Sequence, residues 1–236
     1  MMKYRLLRSL SLTLALSAGL ALSLAPAVRA ASNSPQGLNL TKSRAASEID
    51  RRLNRLHQLS AVISGASRLS ASDKAVLSSE VDSQVTGLTG LKTQIQSDTD
   101  LDSARIDAQS IFSEYRVYAL VLPKVWLVRV ADDQQAVEAK LNTMSGKLQT
   151  RLNEAQSKGK DVETLQNQLN DMIAQTQSAQ KLSSAVEPKV LPLQPTDYAN
   201  DHTILSGYRD QLKTAHNDNK AALADAKTVV QGLKGL

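Results

Sequence analysis

The chain has 236 residues, with 28 Lys plus Arg against 23 Asp plus Glu, a formal charge of +5, and no cysteine. Lys3, Arg5, Arg8 and Arg29 fall in the first thirty residues with no acid among them, so the rest of the chain carries 24 basic against 23 acidic residues. That balance excludes the basic footprint of a nucleic-acid binder, and the missing cysteines exclude disulfides and a lipid-modified cysteine anchor.

Residues 1–30 read as a secretory signal peptide. Basic residues come first, an uncharged run of Leu, Ala, Ser and Thr spans Leu10 to Leu24, and Val28-Arg29-Ala30 places cleavage after Ala30. The uncharged run is shorter than the roughly 20 residues of a spanning helix, so the expectation is a secreted or extracytoplasmic protein that is soluble after cleavage. Residues 31–40 (ASNSPQGLNL) read as a flexible leader.

From Thr41 onward the apolar residues keep helical spacing. A hairpin is expected from helices over 41–66 and 72–96. The first carries Ile49, Leu53, Leu56, Val62 or Ile63, and Ala66; the second carries Leu77, Val81, Val85, Leu88, Leu91 and Ile95. Ser70 followed by Asp73 is a helix-start signal, whereas Gly87 and Gly90 weaken the second helix by about 1 kcal/mol each relative to Ala.

A long helix is expected over 102–158. Its first part, IFSEYRVYALVLPKVWLVRVA from Ile111 to Ala131, holds four of the six aromatics that follow residue 30: Phe112, Tyr115, Tyr118 and Trp126. The spacing Ala108, Ile111, Tyr115, Ala119, Leu122, Trp126 favours a helix kinked at Pro123, where the bond to the Ala119 carbonyl is lost, over a β-hairpin turning at Leu122-Pro123-Lys124. A helix apolar on nearly every side must be covered by protein or lipid. Leu122, Pro123 and Trp126 therefore mark either the centre of the core, with Lys124 and Arg129 reaching outward or to partners, or a membrane-active element.

Val137, Leu141, Met144, Leu148, Leu152 and Ala155 continue this helix. Gly159 and Asp161 supply a left-handed stop and a helix start, and Val162 to Val186 form the next seam over 161–187. Pro188, Pro192 and Pro195 then predict an extended connection over 188–200, followed by a last helix over 201–234 with Leu205, Tyr208, Leu212, Ala215, Leu223, Ala226, Val230 and Leu233. Asn219 falls at an inward position of that seam, where a polar residue sets register.

Together these segments predict an all-α fold: long antiparallel helices in a coiled-coil-like bundle, with a Pro-kinked apolar helix near 102–130. The YRVYALVLPK run, followed by Ala131-Asp132-Asp133 at a helix start and a Leu-rich hairpin, resembles uncharacterised secreted helical-bundle proteins of bacteria over residues 100–235. The resemblance implies a bacterial exported bundle and carries no functional residue with it.

The one metal candidate is Asp98, Asp100 and Asp102, with carboxylates at alternate positions like the start of a calcium loop. Ser103 stands where the calcium loop needs Gly, however, and Gln109 where it needs Glu. The competing reading makes these acids the cap of the following helix. His57, His202 and His216 stand apart, and no nucleophile, phosphate loop or zinc motif accompanies them. The sequence thus points to a non-enzymatic protein with no cofactor, acting by contact with a protein partner at the cell envelope through a protruding 131–187 hairpin. The alternative is a lipid-interacting protein using 111–131.

Overall fold

The computed structural model describes residues 35–235, so the expected signal peptide and residues 31–34 lie outside the described residues. The protein is 87% helical, with no strand among the described residues. Helix α1 spans Pro35–Gly65, α2 Ala71–Ser97, α3 Leu101–Ser113, α4 Leu122–Ser157, α5 Glu163–Ser184, α6 Glu187–Val190, α7 Pro195–Asn200 and α8 Ser206–Gly235. A π-helical turn at Val117–Val121 leads into α4.

Local signals explain most boundaries. The Ser70 hydroxyl accepts from the Asp73 amide at 3.0 Å and starts α2. Asp100 accepts from the Ser103 amide at 2.8 Å and starts α3. Gly159 sits at φ 77°, a left-handed residue closing the α4–α5 turn, and Asp161 accepts from the Glu163 amide at 3.0 Å on its far side.

Four expected boundaries are corrected. The leader over 31–40 is not carried through, because Pro35 to Leu40 form the first turns of α1, with proline at the helix start where its missing N–H is harmless. The single helix over 102–158 is two helices, since the chain leaves α3 at Glu114 and re-enters through the π turn. The Pro-rich stretch 188–200 is coiled into α6 and α7, each with proline in its first turn. The last helix starts at Ser206 instead of 201, because the Asp201 carboxylate takes the Thr203 amide and hydroxyl into a turn.

The π turn has the largest consequence. The Leu122 amide donates to the Val117 carbonyl, five residues back, so one extra residue is wound in just before Pro123. The ring of Pro123 then sits in the first turn of α4, in place of a kink within a longer helix. That inserted residue turns the following side chains by about 100°. The buried set becomes Val117, Leu120, Val121, Lys124, Val125, Leu127, Val128 and Ala131, whereas Leu122 and Pro123 are half-buried and Trp126 is 49% exposed.

Two cores result. The first joins α1, α2 and α3 to the start of α4, with Val190 of α6 and Leu193, Leu205 and Leu212 closing it. The second is a three-helix bundle in which the far halves of α4 and α8 pack with α5 around Leu141, Leu148, Leu152, Leu169, Met172, Ala222, Ala226 and Val229. Helix α4, about 54 Å long, belongs to both. The 131–187 segment is therefore no free protrusion, because α8 packs along α5 and α4 as a third helix. Within the first core, Gly87 is required by close approach: a Cβ there would lie 2.5 Å from Cε1 of Tyr115.

Candidate functional site

The apolar segment turns three of its four aromatics outward. Phe112, at the end of α3, is 58% exposed, and Tyr118, in the π turn, is 47% exposed. Both stand over one guanidinium: Arg52 of α1 lies 4.7 Å from the Phe112 ring centroid and 5.2 Å from that of Tyr118. Arg52 is buried and is held from its own helix by Glu48. Its position is thus set by an i, i+4 ion pair beneath and two ring faces above. Trp126 follows Tyr118 by eight residues, about two turns, which keeps it on the same face of the segment. Ile106 of α3 is 66% exposed. The result is an aromatic surface built on a guanidinium platform.

Beneath it, Lys124 runs into the core. Its ammonium is 1% exposed and donates to Glu80 of α2 at 2.8 and 3.0 Å, and to the carbonyls of Leu191 and Leu193 at 3.2 and 2.6 Å. One cation therefore ties α4, α2 and the α6–α7 connection together. Arg129, expected to behave similarly, is exposed. Arg116 stands 5.3 Å over the Tyr198 ring and ties α7 to the π turn.

The acidic run is not a cation cradle. Asp100 is spent on capping Ser103, whose hydroxyl it also accepts at 2.8 Å. Asp102 is largely exposed and faces Arg105 at 3.5 Å. Asp98 ends α2, where burial and the charge of Asp107 push its carboxyl up. The carboxylates that converge are Asp73 of α2, Asp132 of α4 and Glu187 of α6, with oxygens all within 4.8 Å of one another. Such a donor set suits a hard, oxygen-seeking cation better than Asp98, Asp100 and Asp102 do. No local spacing announces it, because its members are 59 and 55 residues apart.

The three acids weaken one another. Burial, then the charges of Asp73 and Asp133, push Asp132 up to about 6. Burial, a hydrogen bond with Asp73 and the charges of Asp73 and Asp132 raise Glu187. The nearby cation Arg68 is engaged by Asp133 at 2.8 Å. A carboxyl raised in the folded state contributes stability that is full below its unfolded value, near 3.9, and is lost as pH rises through about 6. Asp132→Asn removes that loss. Allowing for the partial exposure of Asp132, the variant is expected to melt roughly 2–4 °C above the wild type near pH 7.5 and level with it near pH 4, as followed by circular dichroism.

His57, His202 and His216 are exposed, and none shares a hydrogen bond with a serine nucleophile among the described residues. The fold defines an all-α bundle with two cores. Comparison with protein-family models, with curated proteins and with solved structures finds no match.

Proposed function

We propose that this is a non-enzymatic, exported helical-bundle protein that acts by contact with a protein partner through the surface of Phe112, Tyr118 and Trp126 around Arg52. The observation that carries the reading is the outward placement of these three rings, about half exposed each, on a segment otherwise given to the core. Trp, Tyr and Arg are the residues in which binding energy concentrates at interfaces, because they bring large rigid contact area at low entropic cost. The first thirty residues supply the export expectation.

A second reading, contact with a lipid surface, draws on the same rings, since Trp and Tyr are at home at the membrane–water boundary. No helix among the described residues is long and apolar enough to cross a membrane, so that contact would be peripheral.

A photo-crosslinking residue placed at Trp126 tests both. Protein adducts at Trp126, and none from the same probe at the exposed Lys147 on the far half of α4, support the protein-contact reading. Lipid adducts from vesicles move the function to the second. Equal adduct formation at the two positions, or turnover of a hydrolase or transferase substrate panel by the purified protein, overturns the proposal.

A further inference from the structure

Between the two cores lies a layer that is polar instead of apolar. Gln134 and Glu138, one turn apart on α4, meet Ser183 of α5 and Asn219 of α8, and all four are buried. The first core ends at Ala131 and Leu212, and the second begins at Leu141 and Ala222. Asn219 Nδ2 donates to Gln134 Oε1 at 2.8 Å and to Glu138 Oε1 at 3.2 Å, and Gln134 Nε2 donates to the Leu212 carbonyl at 3.2 Å. The layer therefore fixes the axial register of α8 on α4, as a buried Asn does in a coiled coil.

Glu138 is the one ionisable member, and it is 1% exposed. The groups that face it are neutral: Ser183 and the Gln180 carbonyl from α5, and Asn219 from α8. The charged side chains near it in sequence point elsewhere. Lys140 on α4, Lys181 on α5, and His216 and Lys220 on α8 are exposed, and Asp218 accepts from Ser178 at 2.8 Å. An ionised carboxylate here is a buried charge with two hydrogen bonds and no cation, an arrangement that the low-dielectric interior penalises. Burial accordingly raises the Glu138 carboxyl, and the bonds from Ser183 and Asn219 offset less than that.

Ser183 lets the same heavy-atom positions hold either protonation state. Its Oγ lies 2.8 Å from Glu138 Oε2 and 3.3 Å from the Gln180 carbonyl. With Glu138 ionised, the serine hydroxyl donates to Oε2. With the proton on Oε2, the carboxyl O–H donates to Ser183 Oγ, the serine hydrogen turns to the Gln180 carbonyl, and Asn219 keeps its bond to Oε1. The neutral layer has every one of these hydrogens bonded and holds no charge.

We infer that the Gln134–Glu138–Ser183–Asn219 layer is a proton-operated latch, closing α5 and α8 on α4 when Glu138 is neutral and loosening them when it ionises. The sign follows from burial: the folded protein holds this proton more tightly than the unfolded chain, so the layer is tightest below the unfolded carboxylate value and loosens as pH rises through the folded one. The latch is independent of the aromatic contact surface and stands if that reading fails.

The test is amide hydrogen exchange on the purified protein near pH 5 and near pH 8, expressed as protection factors so that the intrinsic pH dependence is removed. In an Asp132→Asn background, which silences the neighbouring acidic trio, amides of α5 and α8 flanking Ser183 and Asn219 are expected to lose protection about tenfold at the higher pH, a change equal to one unit of pKa. Glu138→Gln presents an N–H to Ser183 and an oxygen to Asn219, so its protection is expected to be the same at both pH values. Glu138→Met, which removes the titrating group altogether, is expected to be equally flat. A wild-type layer without pH dependence, or a fall retained in both Glu138 variants, overturns the inference.

Discussion

Lys124→Ala is expected to lower the unfolding free energy by about 3–5 kcal/mol, the largest effect of any single substitution considered for this protein. The ammonium is 1% exposed and serves three acceptor groups at once: the Glu80 carboxylate and the carbonyls of Leu191 and Leu193. Removing it strands a carboxylate and withdraws a charged donor from two backbone oxygens, each worth about 1–3 kcal/mol when buried and unpaired. It also empties the space of a four-carbon stem. Lys124→Met keeps that stem volume and is expected to cost less, because Glu80, with 22% of its side chain exposed, can turn to water. Urea unfolding with a common m-value measures both. A loss under about 1 kcal/mol for the alanine variant would show that the pair contributes nothing net, as some buried pairs do.

The second large effect concerns contact instead of folding. Phe112→Ala, Tyr118→Ala and Trp126→Ala combined are expected to weaken partner binding at least 100-fold, because anchor residues of this type contribute about 2 kcal/mol or more each and tenfold corresponds to about 1.4 kcal/mol. The fold should survive, since each ring is already about half in solvent. Val137→Ala, at an exposed position on the same helix, serves as the control and is expected to leave binding unchanged. Arg52→Ala tests the platform separately. With both rings present but unseated, binding is expected to fall, and Arg52→Lys is not expected to restore it, because a planar guanidinium stacks on two ring faces and an ammonium does not. Binding measured by surface plasmon resonance against the crosslinked partner decides. An unaltered affinity in the triple variant would remove the contact surface from the argument.

The sequence was most legible where a residue acts on its own backbone. Ser70 and Asp100 start helices through their own side chains, and Gly159 stops one by adopting a conformation that costs other residues energy. The seam of α2 was equally plain: Leu77, Val81, Leu88, Leu91 and Ile95 are all buried. Elsewhere the spacing found the right face to within one residue and no closer. Ile63 is buried where Val62 is 42% exposed, Ala222 takes the place expected of Leu223, and Val137 lies outside. Neighbouring positions on a helix differ by about 100°, so a pattern of moderately apolar residues leaves its centre ambiguous until a partner helix selects it.

Segment 111–131 shows the limit most clearly. Its apolar content announced burial, and eight of its residues are in the core or lining it. The phase was misread because the π turn is invisible to a count of 3.6, and the added residue exchanged Trp126 for Lys124 at the buried position. A lysine in an apolar run looks like a residue seeking water. Here it finds a carboxylate 44 positions earlier and carbonyls 67 and 69 positions later.

By itself the sequence determined that the protein is all-α, where most helices start and stop, and that Asn219 faces inward, because each of these depends on interactions within a few residues along the chain. Only the tertiary structure decided that Asp73, Asp132 and Glu187 converge, that Lys124 is buried, that Glu138 shares its proton environment with Ser183, and that three aromatics meet solvent. Those outcomes depend on which elements pack together across intervals of 40 to 85 residues, and no local periodicity carries that information.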